Sequence, residues 1–301
     1  MAYTTIKKPS DYFNTKLYTG NGTAGHAITG VGFQPDWTWI KNRSYSANHM
    51  LYDAVRGATK AIFSNATDAE NTSSGHLTAF GVDGFTLGDN SGTGSTNGNT
   101  ETYASWNWLA NGAGVANTDG SISSTVSANT TSGFSIVSYT GTGSAENVGH
   151  GLSSAPKIYI MKNLTDANDW KFYTTAIDGT LDVLNLNNTD AKGDSGGSLP
   201  TSSIFYIGTN ANQGESGKNY IAYCFAEKQG FSKFGSYTGN GSSDGTFVYT
   251  GFKPAFIIIK RTDSTSSWDL YDNKRLGYNV KNYGLFPDLS NAESTTDKID
   301  I

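Results

Sequence analysis

The 301 residues carry a net charge of −5, and only 16% of them are charged, against about 25% in ordinary soluble domains. An acidic chain without clustered Lys and Arg is not built to grip phosphates, so nucleic acid is excluded as an expected partner. Aromatic residues at 13% exclude wholesale disorder, and the Gly-, Ser-, Thr- and Asn-rich remainder predicts an all-β protein with long polar loops.

Residues 1–16 read as a polar lead, either a cap or an anchoring arm. The lead has lysines but no apolar stretch of the secretory kind, and no run of 18 apolar residues occurs anywhere to insert in a membrane. The single cysteine, Cys224, lies in an apolar run and is expected to be a buried, inert thiol; it can make neither a disulfide framework nor a Cys-based metal site.

Residues 17–112 form the first of three modules. Each module opens on a cassette, Tyr-Thr-Gly-Asn-Gly or Tyr-Thr-Gly-Thr-Gly, beginning at Tyr18, Tyr139 and Tyr237. Seventeen residues later stands a proline (Pro35, Pro156, Pro254) and six further on a lysine (Lys41, Lys162, Lys260). Eleven residues after that stands a second tyrosine (Tyr52, Tyr173, Tyr271). Three intervals kept in three copies define a repeat protein. Glycine in the cassette marks a tight turn, and proline just before a strand removes no ladder hydrogen bond. Trp37 and Trp39 share one strand face, with Thr38 and Ile40 on the other.

Residues 113–132 read as a connector, contributing at most one edge strand. The second module, residues 133–229, holds the strand Lys157-Ile-Tyr-Ile-Met-Lys162, apolar on both faces and therefore expected to be covered on both. Residues 203–208 correspond to 85–88, and 220–226 to 103–109. The third module, residues 230–301, repeats the first half and lacks counterparts of 85–88 and of the aromatic closing strand 103–108. The fold predicted is a set of tandem β-sandwich modules, jelly-roll or lectin-like, with the third incomplete. Offsets of 121 and 98 residues between cassettes are too long for propeller blades of about 40–50. An incomplete third sandwich exposes an apolar edge at Phe256, Ile257, Ile258 and Ile259. Either a continuing polypeptide or a neighbouring subunit is expected to supply the missing strands.

The cassettes, Gly251-Phe-Lys-Pro254 before an apolar strand, and the stretch 220–236 resemble modules of tail-fibre-like virion structural proteins of marine tailed phages. The resemblance covers nearly the whole chain. It implies a particle-bound, non-enzymatic, multi-copy protein, located in the virion, with other virion proteins as partners. It also implies self-association, for which a homotrimer is the expectation. One expected role is a fibre or appendage subunit attaching to host-surface polysaccharide; the other is a connector or head decoration without a ligand.

Candidate sites are few. Trp170 and Trp268 sit eight residues after the repeat lysine, where the first module has His49, and Tyr173 and Tyr271 lie three further on. These four are the candidate glycan platform, since sugar rings stack on aromatic faces, with one member of each pair expected in the core and the other more exposed. A polysaccharide-degrading tailspike would need facing carboxylates; Asp53 and Asp272 are equivalent in the repeat, but Thr174 breaks the series. No cofactor is expected, although oxygen-rich stretches at 166–169 and 288–297 could hold a structural calcium. The four histidines, His26, His49, His76 and His150, lack metal-ligand spacing and are expected on loop surfaces.

Overall fold

A computed structural model describes residues 3–275, 283–295 and 299. The all-β class holds, with 36% strand and 1% helix. After a single 3-10 turn at Pro9–Asp11, the first repeat unit contributes nine strands. These are β1 (Phe13–Thr19), β2 (His26–Thr29), β3 (Trp37–Asn42), β4 (Met50–Asp53), β5 (Lys60–Phe63), β6 (Asn71–Thr72), β7 (Leu77–Gly81), β8 (Gly84–Leu87) and β9 (Thr102–Trp108). The large sheet runs β1-β9-β3-β4-β5-β6, and a small sheet, β2-β8-β7, covers one face of it. Ile40, Met50, Tyr52, Phe63 and Tyr103 of the large sheet pack there on Ile28, Leu77, Phe85 and Leu87 of the small one.

The second unit repeats this order. Its strands are β10 (Val115–Asn117), β11 (Ser124–Asn129), β12 (Phe134–Thr140), β13 (Glu146–Gly149), β14 (Ile158–Asn163), β15 (Lys171–Thr174), β16 (Asp182–Asn185), β17 (Gly193–Asp194), β18 (Ile204–Ile207) and β19 (Asn219–Phe225). The series β12-β19-β14-β15-β16-β17 matches β1-β9-β3-β4-β5-β6, and the pair β13-β18 matches β2-β8. The expected connector at 113–132 is instead two strands, β10 and β11, which extend this large sheet beyond β12. Its alternating Ser, Thr and Val suit an edge with one covered face, and Val126 is buried. The lead is likewise shorter than expected, because β1 starts at Phe13 and Ile6 is already buried.

The third unit shows β20 (Phe256–Ile259) paired with β21 (Asp269–Asp272). Bridges Leu270↔Leu285 and Gly284↔Ser294 continue it in the register of Leu51↔Ile62 and Ala61↔Asn71. In all three cassettes the final glycine, Gly22, Gly143 and Gly241, has a positive φ, from +65° to +81°, which only glycine adopts without strain.

The largest core lies between the units. Trp37, Trp39, Trp106 and Trp108 meet Phe134, Ile160, Trp170 and Tyr223 there, together with Trp268 and Leu270 of the third unit. Each large sheet is therefore covered on both faces, once by its own small sheet and once by the other units. Trp37 stacks on Tyr223 across this seam with ring centroids 4.3 Å apart. Burial of each such side chain contributes roughly 1.5–3 kcal/mol.

Candidate functional site

Equivalent backbone contacts recur at the three junctions between units. Ala47 N donates to Ser290 O at 2.8 Å, Asn168 N to Thr67 O at 2.9 Å and Ser266 N to Thr189 O at 2.9 Å. These three donors are equivalent in the repeat, and they join the first unit to the third, the second to the first and the third to the second. A reciprocal set runs the other way: Glu70 N to Leu164 O, Lys192 N to Thr262 O and Glu293 N to Arg43 O, at 2.9–3.2 Å. Contacts that follow this order close a ring of three units within one chain.

The side chains eight residues after the lysine join the same ring. Trp170 Nε1 donates to Phe63 O at 2.8 Å and Trp268 Nε1 to Asn185 O at 2.9 Å. His49 takes the third place. Its Nδ1 accepts from Trp39 Nε1 at 2.8 Å, so the neutral ring carries its proton on Nε2. Burial above all, and then the charge of Lys41, hold its pKa well below the usual value, while the Phe286 carbonyl pulls the other way. That carbonyl is the counterpart of those of Phe63 and Asn185, although its geometry falls short of a full hydrogen bond and leaves Nε2 without a partner.

Each repeat lysine reaches backbone carbonyls. Lys41 Nζ donates to Asn42 O at 2.8 Å and Ser290 O at 3.1 Å; Lys260 Nζ donates to Arg261 O at 2.6 Å and Thr189 O at 3.3 Å. Lys162 stays within its own unit, on Asn163 O and Asp166 O. Burial lowers the pKa of all three, to about 7 for Lys41 and about 8 for Lys162.

Two buried ion pairs complete the junctions. Arg56 binds Asp53 at 2.5 Å and Glu70 at 3.1 Å, and the Tyr223 hydroxyl of the second unit donates to Asp53 at 2.7 Å. Arg275 binds Asp272 at 2.6 Å and Glu293 at 3.0 Å, with the Trp106 indole of the first unit donating to Asp272 at 3.0 Å. Burial works against the Arg56 charge, and Asp53, Tyr223 and Glu70 outweigh it, so its pKa lies above the ordinary value. Arg56, Glu70, Tyr223, Arg275 and Glu293 were not singled out by the sequence reading. The spacing Asp-x-x-Arg at 53–56 and 272–275, directly after each repeat tyrosine, is the signal that points to them.

The expected glycan platform is buried, its tryptophans inside these junctions. Trp170, Tyr173, Trp268 and Tyr271 are 0%, 4%, 2% and 1% exposed. The two residues of each pair do take opposite sheet faces, as their spacing requires, with Trp170 in the inter-unit core and Tyr173 in the core of its own unit. Both faces are covered, so neither ring offers a face to a ligand. Asp53 and Asp272 are equally enclosed and ion-paired. His49, His76 and His150 are fully buried rather than on loop surfaces, and His26 is half-buried.

Of the oxygen-rich stretches, Asp166 pairs with Lys218 and Asp169 with Lys171, and Asp288 accepts from Trp268 N; Asp297 lies outside the described residues. Among the described residues no group of three or more His, Cys, Asp or Glu is arranged to hold a metal ion. Nor is any helix among them long and apolar enough to cross a membrane.

A polar cleft of about 330 Å³ opens where the first two units meet, lined by Arg56, Lys60, Glu70, Leu164, Thr165 and Asn219. Its one carboxylate, Glu70, is already held by Arg56 and by Lys60 at 3.4 Å.

No curated protein and no solved structure matches the chain. One family does, over residues 8–301, a span that takes in all three repeat units. The chain belongs to the family described as Domain of unknown function (DUF7483).

Proposed function

We propose that this chain is a non-enzymatic structural protein of a phage particle, acting as a connector or decoration piece through its shape rather than through a ligand site. The observation that carries the reading is the use made of the repeated residues. Lys41 and Lys260, Trp170 and Trp268, and the Asp-x-x-Arg pairs at 53–56 and 272–275 all contribute contacts that join unit to unit. A binding repeat would instead leave its recurring aromatics open to solvent. The resemblance of the cassettes and of residues 220–236 to tail-fibre-like virion proteins supports a place in a particle. With Trp170, Tyr173, Trp268 and Tyr271 buried, attachment to a host polysaccharide through them is closed off, which favours the connector or decoration role over the fibre tip.

Electron microscopy of particles labelled with an antibody to this chain tests the reading, beside a host-polysaccharide array probed with purified protein. Label along the capsid or tail body, with no saturable glycan binding, is the expected result. Label at a distal tip with saturable binding would replace this reading by adhesion through the loops. Absence of label from particles would reject both.

A further inference from the structure

Two of the three units hold a closing strand at the centre of their large sheet. In the first, β9 lies between β1 and β3, with Tyr18↔Tyr103 and Trp39↔Trp106 in register. In the second, β19 lies between β12 and β14, with Tyr139↔Tyr220 and Ile160↔Tyr223. In the third, β20 pairs only with β21 among the described strands, and all four of its residues are half-buried where those of β3 are all buried. Tyr237, the counterpart of the half-buried Tyr18 and of Tyr139, is in no strand and is 51% exposed, against 3% for Tyr139. Phe247 and Val248 lie as far from Tyr237 as β2 lies from Tyr18, and Phe247 is 86% exposed. The open positions are therefore those that β8 and β9, or β18 and β19, cover in the other units.

We infer that the edge of β20 left unpaired by the described strands is a docking site for an extended segment from outside residues 1–301, built like the repeat's own closing strand. The two filled copies define that segment: seven residues with tyrosine second and aromatic rings fifth and seventh, as in β9 and β19. The described strands of a second copy have no such strand to lend, because β9 and β19 are each paired on both sides.

The ring sets one further property. The fifth residue of a closing strand reaches into the adjoining unit, Tyr223 to Asp53 and Trp106 to Asp272. By the same cyclic order, the fifth residue of the docked segment faces the second unit, where Thr174 and Ile177 stand in place of Asp and Arg. The buried Asp182, opposite Thr174 in the β15–β16 register, keeps one carboxylate oxygen there without a hydrogen-bond partner. The segment therefore carries an O–H or N–H donor at that place, tyrosine or tryptophan as in β19 and β9.

The test uses the full chain and a peptide copied from residues 217–228 with Cys224→Ser. Saturable binding is expected, with amide exchange slowed at residues 256–259. The same peptide with Tyr223→Phe should bind about tenfold more weakly, since it leaves the Asp182 carboxylate without a donor. In a chain carrying Asp182→Leu the preference should vanish; if that variant does not fold, the two peptides on the unaltered chain decide. Equal binding of a scrambled peptide, or no slowing at 256–259, would overturn the inference. So would a dimer in light scattering whose 256–259 amides are already protected, since a second copy would then cover the edge.

Discussion

The indole Nε1 of Trp170 donates to the carbonyl of Phe63 at 2.8 Å, across the boundary between two repeat units. The same bond from Trp268 to Asn185 repeats it at the next boundary. A recurring tryptophan in this chain is thus a fastener, held in place by the backbone of its neighbour.

Trp170→Ala should cost about 3–5 kcal/mol, because it opens a cavity in the inter-unit core and leaves the Phe63 carbonyl unpaired. Trp170→Phe keeps most of the apolar contact and should cost about 1–3 kcal/mol. Urea titration followed by tryptophan fluorescence measures both. Equal losses for the two variants would mean that the hydrogen bond outweighs the packing.

Asp53→Asn removes the charge that holds the fully buried Arg56 and should destabilise by about 3–5 kcal/mol. Tyr223→Phe, which acts from the other unit, should cost about 1 kcal/mol. Combined, the two should be non-additive by at least about 0.5 kcal/mol, because they share one hydrogen bond. Strict additivity would show that the two units do not communicate through this pair.

Much of the fold was legible before any coordinates. Two-residue alternation placed Trp37 and Trp39 on the face opposite Ile40, and the doubly apolar strand at 157–162 is covered on both faces as expected. What covers the second face was not legible. Period-two patterning says that a face is apolar without saying whether a ligand or a neighbouring unit meets it, so Trp170 and Trp268 read as a platform. Residues 113–132 misled for a related reason: Ser and Thr in β11 resemble linker composition, and only pairing with β10 and β12 reveals the strand. The buried histidines show the same limit, since His49 earns its place through Trp39 and the third unit, both distant in sequence or at no fixed helical or strand interval.

Stability should rise with pH from about 6 to about 8.5 and fall above about 9. Lys41 has a folded pKa of about 7 and Lys162 of about 8, against about 10.4 in an unfolded chain. Between those values the unfolded chain holds protons that the folded one has released, so raising the pH favours the folded state. Cys224 acts in the opposite sense, because burial pushes its thiol up to about 12, but one thiol offsets only one of the two lysines. The buried tyrosines, among them Tyr52, Tyr139, Tyr159 and Tyr223, turn the slope at about pH 9, since burial raises their pKa and the unfolded chain's tyrosines, at about 10, ionise first. Calorimetric Tm values from pH 6 to 10 check the profile, and Lys41→Met should flatten its rising side. A Tm that falls steadily from pH 6 would contradict these burial effects.

Cys224 should resist thiol reagents in the native protein and react at the rate of global unfolding, being fully buried beside Ser135 with its thiolate disfavoured. Labelling with an aromatic disulfide, with and without urea, measures this. Rapid native labelling would mean that the closing strand β19 opens on its own.

The central claim is that three repeat units in one chain form a single closed ring. Hydrogen exchange on the full-length Trp170→Ala protein, read by mass spectrometry of peptides from each unit, tests it most directly. The account predicts that protection falls together in β4 and β5 of the first unit, in β15 and β16 of the second and in β21 of the third. Loss confined to β15 and β16, with the other two units exchanging as in the unaltered chain, would contradict it.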